Sequence, residues 1–160
     1  MTGGGRAAGV TDLPTDLPDE TMVAAEQQIG LLFRTAMQRW KEQAASIHPD
    51  LAPKAFAVLR TLVDDGPAQA RDLVTRLGTD KSVLSRQITS LERLGLIERE
   101  VDEHDARARR LVATPAAAAR VTRVRAARHD DVRRRLAAWT REERAVFVDL
   151  LGRLTAPDDA

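Results

Sequence analysis

The 160-residue chain contains no cysteine and no tyrosine, and its aromatic side chains are limited to three Phe and two Trp. Without cysteine there is no disulfide framework, no thiolate metal site and no thiol redox switch. Lysine is almost as scarce: Lys41, Lys54 and Lys81 are the only three among 25 basic residues, so arginine carries the positive charge. No stretch approaches the roughly 20 apolar residues needed to cross a bilayer. Residues 1–10, MTGGGRAAGV, lack the charged and then apolar order of a secretion signal. A cytoplasmic chain without a membrane partner is expected. Catalytic patterns are missing too: there is no Gly-x-Ser-x-Gly, no Glu/His dyad at a convincing spacing, and the run Gly3-Gly4-Gly5 precedes no helix. His48, His104 and His129 lack the close spacing of zinc motifs. An enzyme is therefore not expected, nor a metal, nor a cofactor.

What is present is an uneven distribution of charge. The net charge is only +1, but residues 1–75 hold 7 basic and 10 acidic side chains, residues 76–135 hold 15 and 9, and residues 136–160 hold 3 and 5. The positive excess is concentrated in the middle of the chain, where it suits a phosphate backbone if that region folds around a nucleic-acid surface. The alternative is a solvated arginine-rich face.

Residues 1–19 combine a Gly run with Thr-Asp-Leu-Pro repeated in tandem over residues 11–18, and are expected to form a disordered tail. Over residues 20–46, Val23, Ile29, Leu32, Phe33, Met37 and Trp40 recur at helical spacing, and His48-Pro49-Asp50 ends that helix. Pro53 suits the first position of a second helix, which carries Phe56, Leu59, Leu62 and Val63 up to the break at Asp64-Asp65-Gly66. Pro67 is expected to open a third helix with Leu73, Val74 and Leu77, closing at Gly78. Thr79 or Asp80 can cap a fourth, with Leu84, Ile88 and Leu91 on one face. Residues 96–101 and 109–113 read as two strands joined by a polar turn. Thr114-Pro115 launches a long Ala- and Arg-rich helix, and Thr140-Arg141-Glu142-Glu143 is a capping box before a last helix with Val146, Phe147, Leu150, Leu151 and Leu154.

Short helices joined around a glycine and followed by a hairpin are the layout of a winged helix-turn-helix. The fold class expected is mainly α with a small β-hairpin wing. The winged lobe spans about residues 53–114, and a helical dimerisation lobe is built from about 20–46 and 115–155. At 100° per residue, Ser82, Arg86, Thr89, Ser90 and Arg93 fall opposite the apolar trio of the fourth helix. That outer face holds donors and short hydroxyls and no acid, which is what direct contact with bases and phosphates requires. In the turn, Arg107 suits a minor groove, and Asp105 is expected to orient an arginine instead of touching DNA.

Three stretches resemble the MarR family of bacterial transcription regulators. They are Asp80-Lys81-Ser82-Val83-Leu84-Ser85-Arg86, the run Leu91-Glu92-Arg93-Leu94-Gly95-Leu96-Ile97, and Asp105-Ala106-Arg107 with Leu111-Val112-Ala113-Thr114. The resemblance covers roughly residues 20–154, a single MarR-like domain over 20–155; Ala113 departs from the family's usual Leu. It implies that Ser85 and Arg86 enter the major groove of double-stranded DNA, that Arg107 enters the minor groove, and that the terminal helices pair with a second copy. Lys81, Ser82, Thr89 and Ser90 complete the expected DNA contacts. The resemblance also implies a pocket for a small-molecule effector, often anionic or phenolic, for which Trp40, His48 and Phe56 are the candidate lining residues. The expected function is a ligand-responsive homodimeric repressor on a pseudo-palindromic operator; the alternative is a helical protein–protein adaptor using the same fold.

Overall fold

Helix breakers and caps set the order of elements. The computed structural model describes residues 20–102 and 108–156. Its elements are α1 (Glu20–Ile47), α2 (Pro53–Asp64), α3 (Ala70–Leu77), α4 (Lys81–Arg93), β1 (Ile97–Val101), β2 (Arg109–Ala113), α5 (Pro115–Ala137) and α6 (Arg141–Thr155). The Thr-Asp-Leu-Pro repeat, His104, Asp105 and Arg107 lie outside the described residues. The chain divides into two compact units between Trp40 and Lys41. The described part of the first is the α1 segment 20–40, on which Leu32, Phe33 and Met37 are exposed. The second holds the remaining elements.

Pro53 occupies the first turn of α2, where its missing N–H costs nothing. Gly78 ends α3 in the left-handed region at φ 54° and ψ 40°, a conformation in which a side chain would be strained. Thr114 caps α5 by accepting the Ala117 N–H at 3.3 Å. At α6 the capping box is complete: Thr140 Oγ1 accepts the Glu143 N–H at 3.1 Å, and Glu143 Oε2 accepts the Thr140 N–H at 2.7 Å.

Pro67 does not open α3. That helix begins at Ala70 with Gln69 as its cap residue. Ala68 is instead bridged to Leu111, its N–H donating to the Leu111 carbonyl at 3.2 Å and its carbonyl accepting the Leu111 N–H at 2.8 Å. A residue committed on both sides to a strand cannot also enter a helix, so Gly66, at φ 87°, turns the chain into one extended step first.

β1 and β2 pair antiparallel, from Ile97 opposite Ala113 to Val101 opposite Arg109. The core of the second unit is centred on α2, which packs against α4, β2 and α5, while α3 packs on α4. Phe56, Leu59, Leu73, Leu84, Leu91, Leu111 and Val121 are its fully buried large side chains. Leu91 is 0% exposed. Leu91→Ala is accordingly expected to destabilise the protein by about 2–5 kcal/mol, read as a lower urea midpoint by circular dichroism.

Candidate nucleic-acid interface

The candidate interface centres on α4. Leu84, Ile88 and Leu91 are its buried residues, which fixes the rotation of the helix about its own axis. Lys81, Ser82, Ser85, Arg86, Thr89 and Arg93 are then exposed, and Ser90 is half-buried at the margin. Thr89 Oγ1 donates to the Ser85 carbonyl at 3.0 Å, which leaves its oxygen free to accept. Lys81, Arg86 and Arg93 make no ion pair or hydrogen bond to another side chain among the described residues. The acid of this helix, Glu92, is half-buried and engaged with Arg99 of β1. The outward face therefore combines three uncompensated cations with three hydroxyls and no carboxylate.

The hairpin is held on one side by the connection between α2 and α3 and on the other by the turn after α4. Ala68 extends the sheet beyond β2, and Gln69 Nε2 donates to Asp102 Oδ2 at 3.1 Å where β1 ends. Thr114 Oγ1 reaches the Gly95 carbonyl at 3.2 Å, tying the start of α5 to the turn after α4. The base of the wing is thereby set relative to α4, although Asp105 and Arg107 lie outside the described residues.

Several arginines of the middle segment have other partners. Arg120 Nη1 donates to the Ile47 carbonyl at 3.0 Å, and Arg125 Nη1 to Asp64 Oδ1 at 2.7 Å. Arg134 and Arg135 both lie on Asp131, at 3.5 and 3.1 Å.

A cavity of about 690 Å³ opens between α2 and α5, with Phe56, Val121, Val124 and Val132 on its apolar side and Arg60, Asp64, Arg125 and Arg128 among its charged lining. Of the three pocket residues expected from sequence, Phe56 lines it. His48 is half-buried at the end of α1, where its Nδ1 accepts the Asp50 N–H at 3.1 Å, and it does not line this cavity. Trp40 is half-buried in the first unit. The charged lining was missed by sequence reasoning, although Val121, Val124, Arg125, Arg128 and Val132 lie along one helical face and could have flagged the α5 side of it.

Helix-turn-helix and hairpin together define a winged-helix DNA-binding regulator fold. The family model that matches the chain, over residues 50–108, is that of the MarR family. A curated relative, the HTH-type transcriptional regulator YxaD of Bacillus subtilis, is 27% identical over 129 residues, covering 81% of this chain and 89% of its own. Among solved structures, a probable transcriptional regulator from Pseudomonas aeruginosa is 30% identical with a TM-score of 0.53, covering 81% of this chain and 98% of that one. A MarR family protein from Bacillus stearothermophilus shares the fold, with a TM-score of 0.68 at 23% identity, covering 87% of this chain and 96% of that one. The chain belongs to the MarR family of transcription regulators.

Because Arg86 is exposed and tied to no described side chain, Arg86→Ala is expected to change folding stability by no more than about 0.5 kcal/mol, checked by urea unfolding. A larger loss would mean that the side chain has a structural role.

Proposed function

We propose that the chain is a sequence-specific repressor that binds double-stranded DNA as a homodimer in the cytoplasm and releases it in response to a small molecule. The observation that carries the DNA-binding part is the acid-free outer face of α4. Arg86, projecting from the helix, has the fork geometry to read guanine O6 and N7. Ser85 reads alongside it. Lys81, Ser82, Thr89 and Ser90 supply phosphate and base contacts, and the sequence assigns the minor-groove contact to Arg107 and the orienting of an arginine to Asp105.

Homodimerisation is supported by two apolar surfaces, each unsatisfied in the single chain. On α1, Leu32, Phe33 and Met37 are 59%, 68% and 56% exposed. On α6 no residue is buried, and Val146, Val148, Leu150 and Leu154 are 57%, 69%, 51% and 61% exposed. Helix faces of this kind require a partner, and two-fold pairing of residues 20–46 and 115–155 with a second copy is the commonest way to supply one. Such a dimer presents two α4 helices to major grooves about 34–36 Å apart, hence a pseudo-palindromic operator. A dimer seated there blocks transcription without any further contact surface. The effector is expected at Phe56, the one of the three sequence candidates that lines the α2–α5 cavity.

Fluorescence anisotropy on the DNA upstream of the chain's own gene and on a scrambled duplex, over a salt series, tests the reading. Preferred binding of the first with a steep salt slope is expected. Arg86→Ala should remove about 1–3 kcal/mol of the preference while leaving binding to scrambled DNA nearly unchanged. No binding to either duplex at low salt would overturn the regulator in favour of a protein–protein adaptor. Leu150→Glu places a charge on the exposed α6 face and is expected to yield monomers in sedimentation velocity, with loss of tight operator binding.

A further inference from the structure

Gln69 occupies the N-cap position of α3 in the extended conformation such a position takes, at φ −78° and ψ 152°, yet its side chain makes no capping hydrogen bond. Ser, Thr, Asp or Asn at that place would accept an N–H from the first turn, and glutamine is a poor substitute. α3 has only eight residues, so an uncapped first turn is a large part of it. The Gln69 amide is used elsewhere: Nε2 donates to Asp102 Oδ2 at 3.1 Å, 33 positions along the chain. Both residues are half-buried, and a hydrogen bond to a carboxylate is stronger than one between neutral groups. Asp102 also helps to close the hairpin, its N–H donating to the Ala108 carbonyl at 3.1 Å. Nearer the core the hairpin has other supports: Ile97 and Leu111 are buried, Arg99 meets Glu92, and Ala68 is bridged to Leu111. Toward the turn that support fades, and Val101 is 50% exposed. The Gln69–Asp102 bond therefore joins the outer part of the wing to the start of the first helix of the helix-turn-helix.

We infer that Gln69 is a positioning residue for the wing: it forgoes the cap of α3 to hold Asp102, and through Asp102 it sets the angle at which the wing meets DNA. A local rule broken by a residue that has a distant partner is the pattern of a position kept for function. The turn that follows Asp102 includes Arg107, to which the sequence assigns the minor-groove contact, so a change of angle at Asp102 moves that contact. Gln69 acts on α3 as well, which packs on α4, and the tether thus links the wing to the pair of helices that presents the major-groove face. This inference rests on the DNA-binding reading above and adds to it a residue that works through another.

The test uses the full chain. Gln69→Ser supplies a capping hydroxyl and removes the tether, so stability and recognition should part: the urea midpoint should equal or exceed that of the wild type, while the preference for the upstream duplex over the scrambled one falls about three- to tenfold. A residue with a structural role alone would move both downward. Hydroxyl-radical footprinting, which reports the minor groove, should lose protection at the outer edges of the site, and dimethyl sulfate protection of guanine N7 in the major groove should stay. Asp102→Asn keeps an acceptor for the Gln69 amide and should keep the wild-type footprint, whereas Asp102→Ala should lose the outer protection as Gln69→Ser does. If Asp102 matters only as an acid that repels phosphate, Asn and Ala will both tighten DNA binding, and the inference fails. Hydrogen exchange supplies an arm without DNA: the Asp102 N–H should exchange about three- to tenfold faster in Gln69→Ser than in the wild type. Unchanged exchange, an unchanged footprint, or a fall in midpoint that accounts for the lost preference would each overturn the inference. Wild-type protein that protects no DNA sinks the regulator reading, and the exchange arm then decides the tether by itself.

Discussion

Three leucine-sized side chains on one face of α4 constrain everything the molecule presents outward. Leu84, Ile88 and Leu91 are 1%, 3% and 0% exposed, and each contributes roughly 1.5–3 kcal/mol by leaving water. Rotating α4 by half a turn would give up that burial and push Arg86 and Arg93 into a core that holds no buried charge among the described residues. The two costs act in the same direction. The outward position of Lys81, Ser82, Ser85, Arg86 and Thr89 is therefore a consequence of core packing and needs no interaction of its own to hold it. A surface fixed in this way can keep its cations unpaired, ready for a ligand that carries the opposite charge.

The wing depends on a second constraint. A two-stranded hairpin alone is marginal in water. Here β2 is paired on both sides, by β1 and by Ala68, and Leu111 at its centre is 1% exposed. Thr114 then links strand to helix, accepting the Ala117 N–H while its hydroxyl donates to the Gly95 carbonyl. The turn after α4, the base of the wing and the first turn of α5 thus meet at one residue.

Local chemistry was legible in the sequence and distant pairing was not. The capping box at Thr140, the left-handed Gly78, Pro53 at the head of α2 and the outer face of α4 all follow from spacings of a few residues, and the structure has them in those places. Pro67 misled because the rule that places Pro at a helix start is local, whereas Ala68 answers to Leu111, far along the chain. Asp64 was read as part of a helix stop; that it meets Arg125, 61 residues on, is a fact of packing that no periodicity carries. Ser90 was assigned with the outer face by angle, but it lies near the edge of that arc and its neighbours half-cover it.

The same distinction changes how the charge should be read. The positive excess of residues 76–135 looks in sequence like a single electrostatic footprint. In the fold it is divided between cations with internal partners and cations without them. Arg99 meets Glu92, Arg110 meets Glu100, Arg120 closes the end of α1, Arg125 holds Asp64, and Arg134 and Arg135 share Asp131. An arginine already paired must break that pair before it can neutralise a phosphate, so it contributes less to counterion release than a free one. Among the described residues of that segment in the winged lobe, the cations without an ion pair are Lys81, Arg86 and Arg93 on α4 and Arg109 on β2. Arginine suits both tasks because its planar fork holds a carboxylate within the protein as readily as it reads guanine or phosphate outside it. In this chain, with lysine so scarce, which task an arginine performs is decided by whether the fold has placed an acid within its reach.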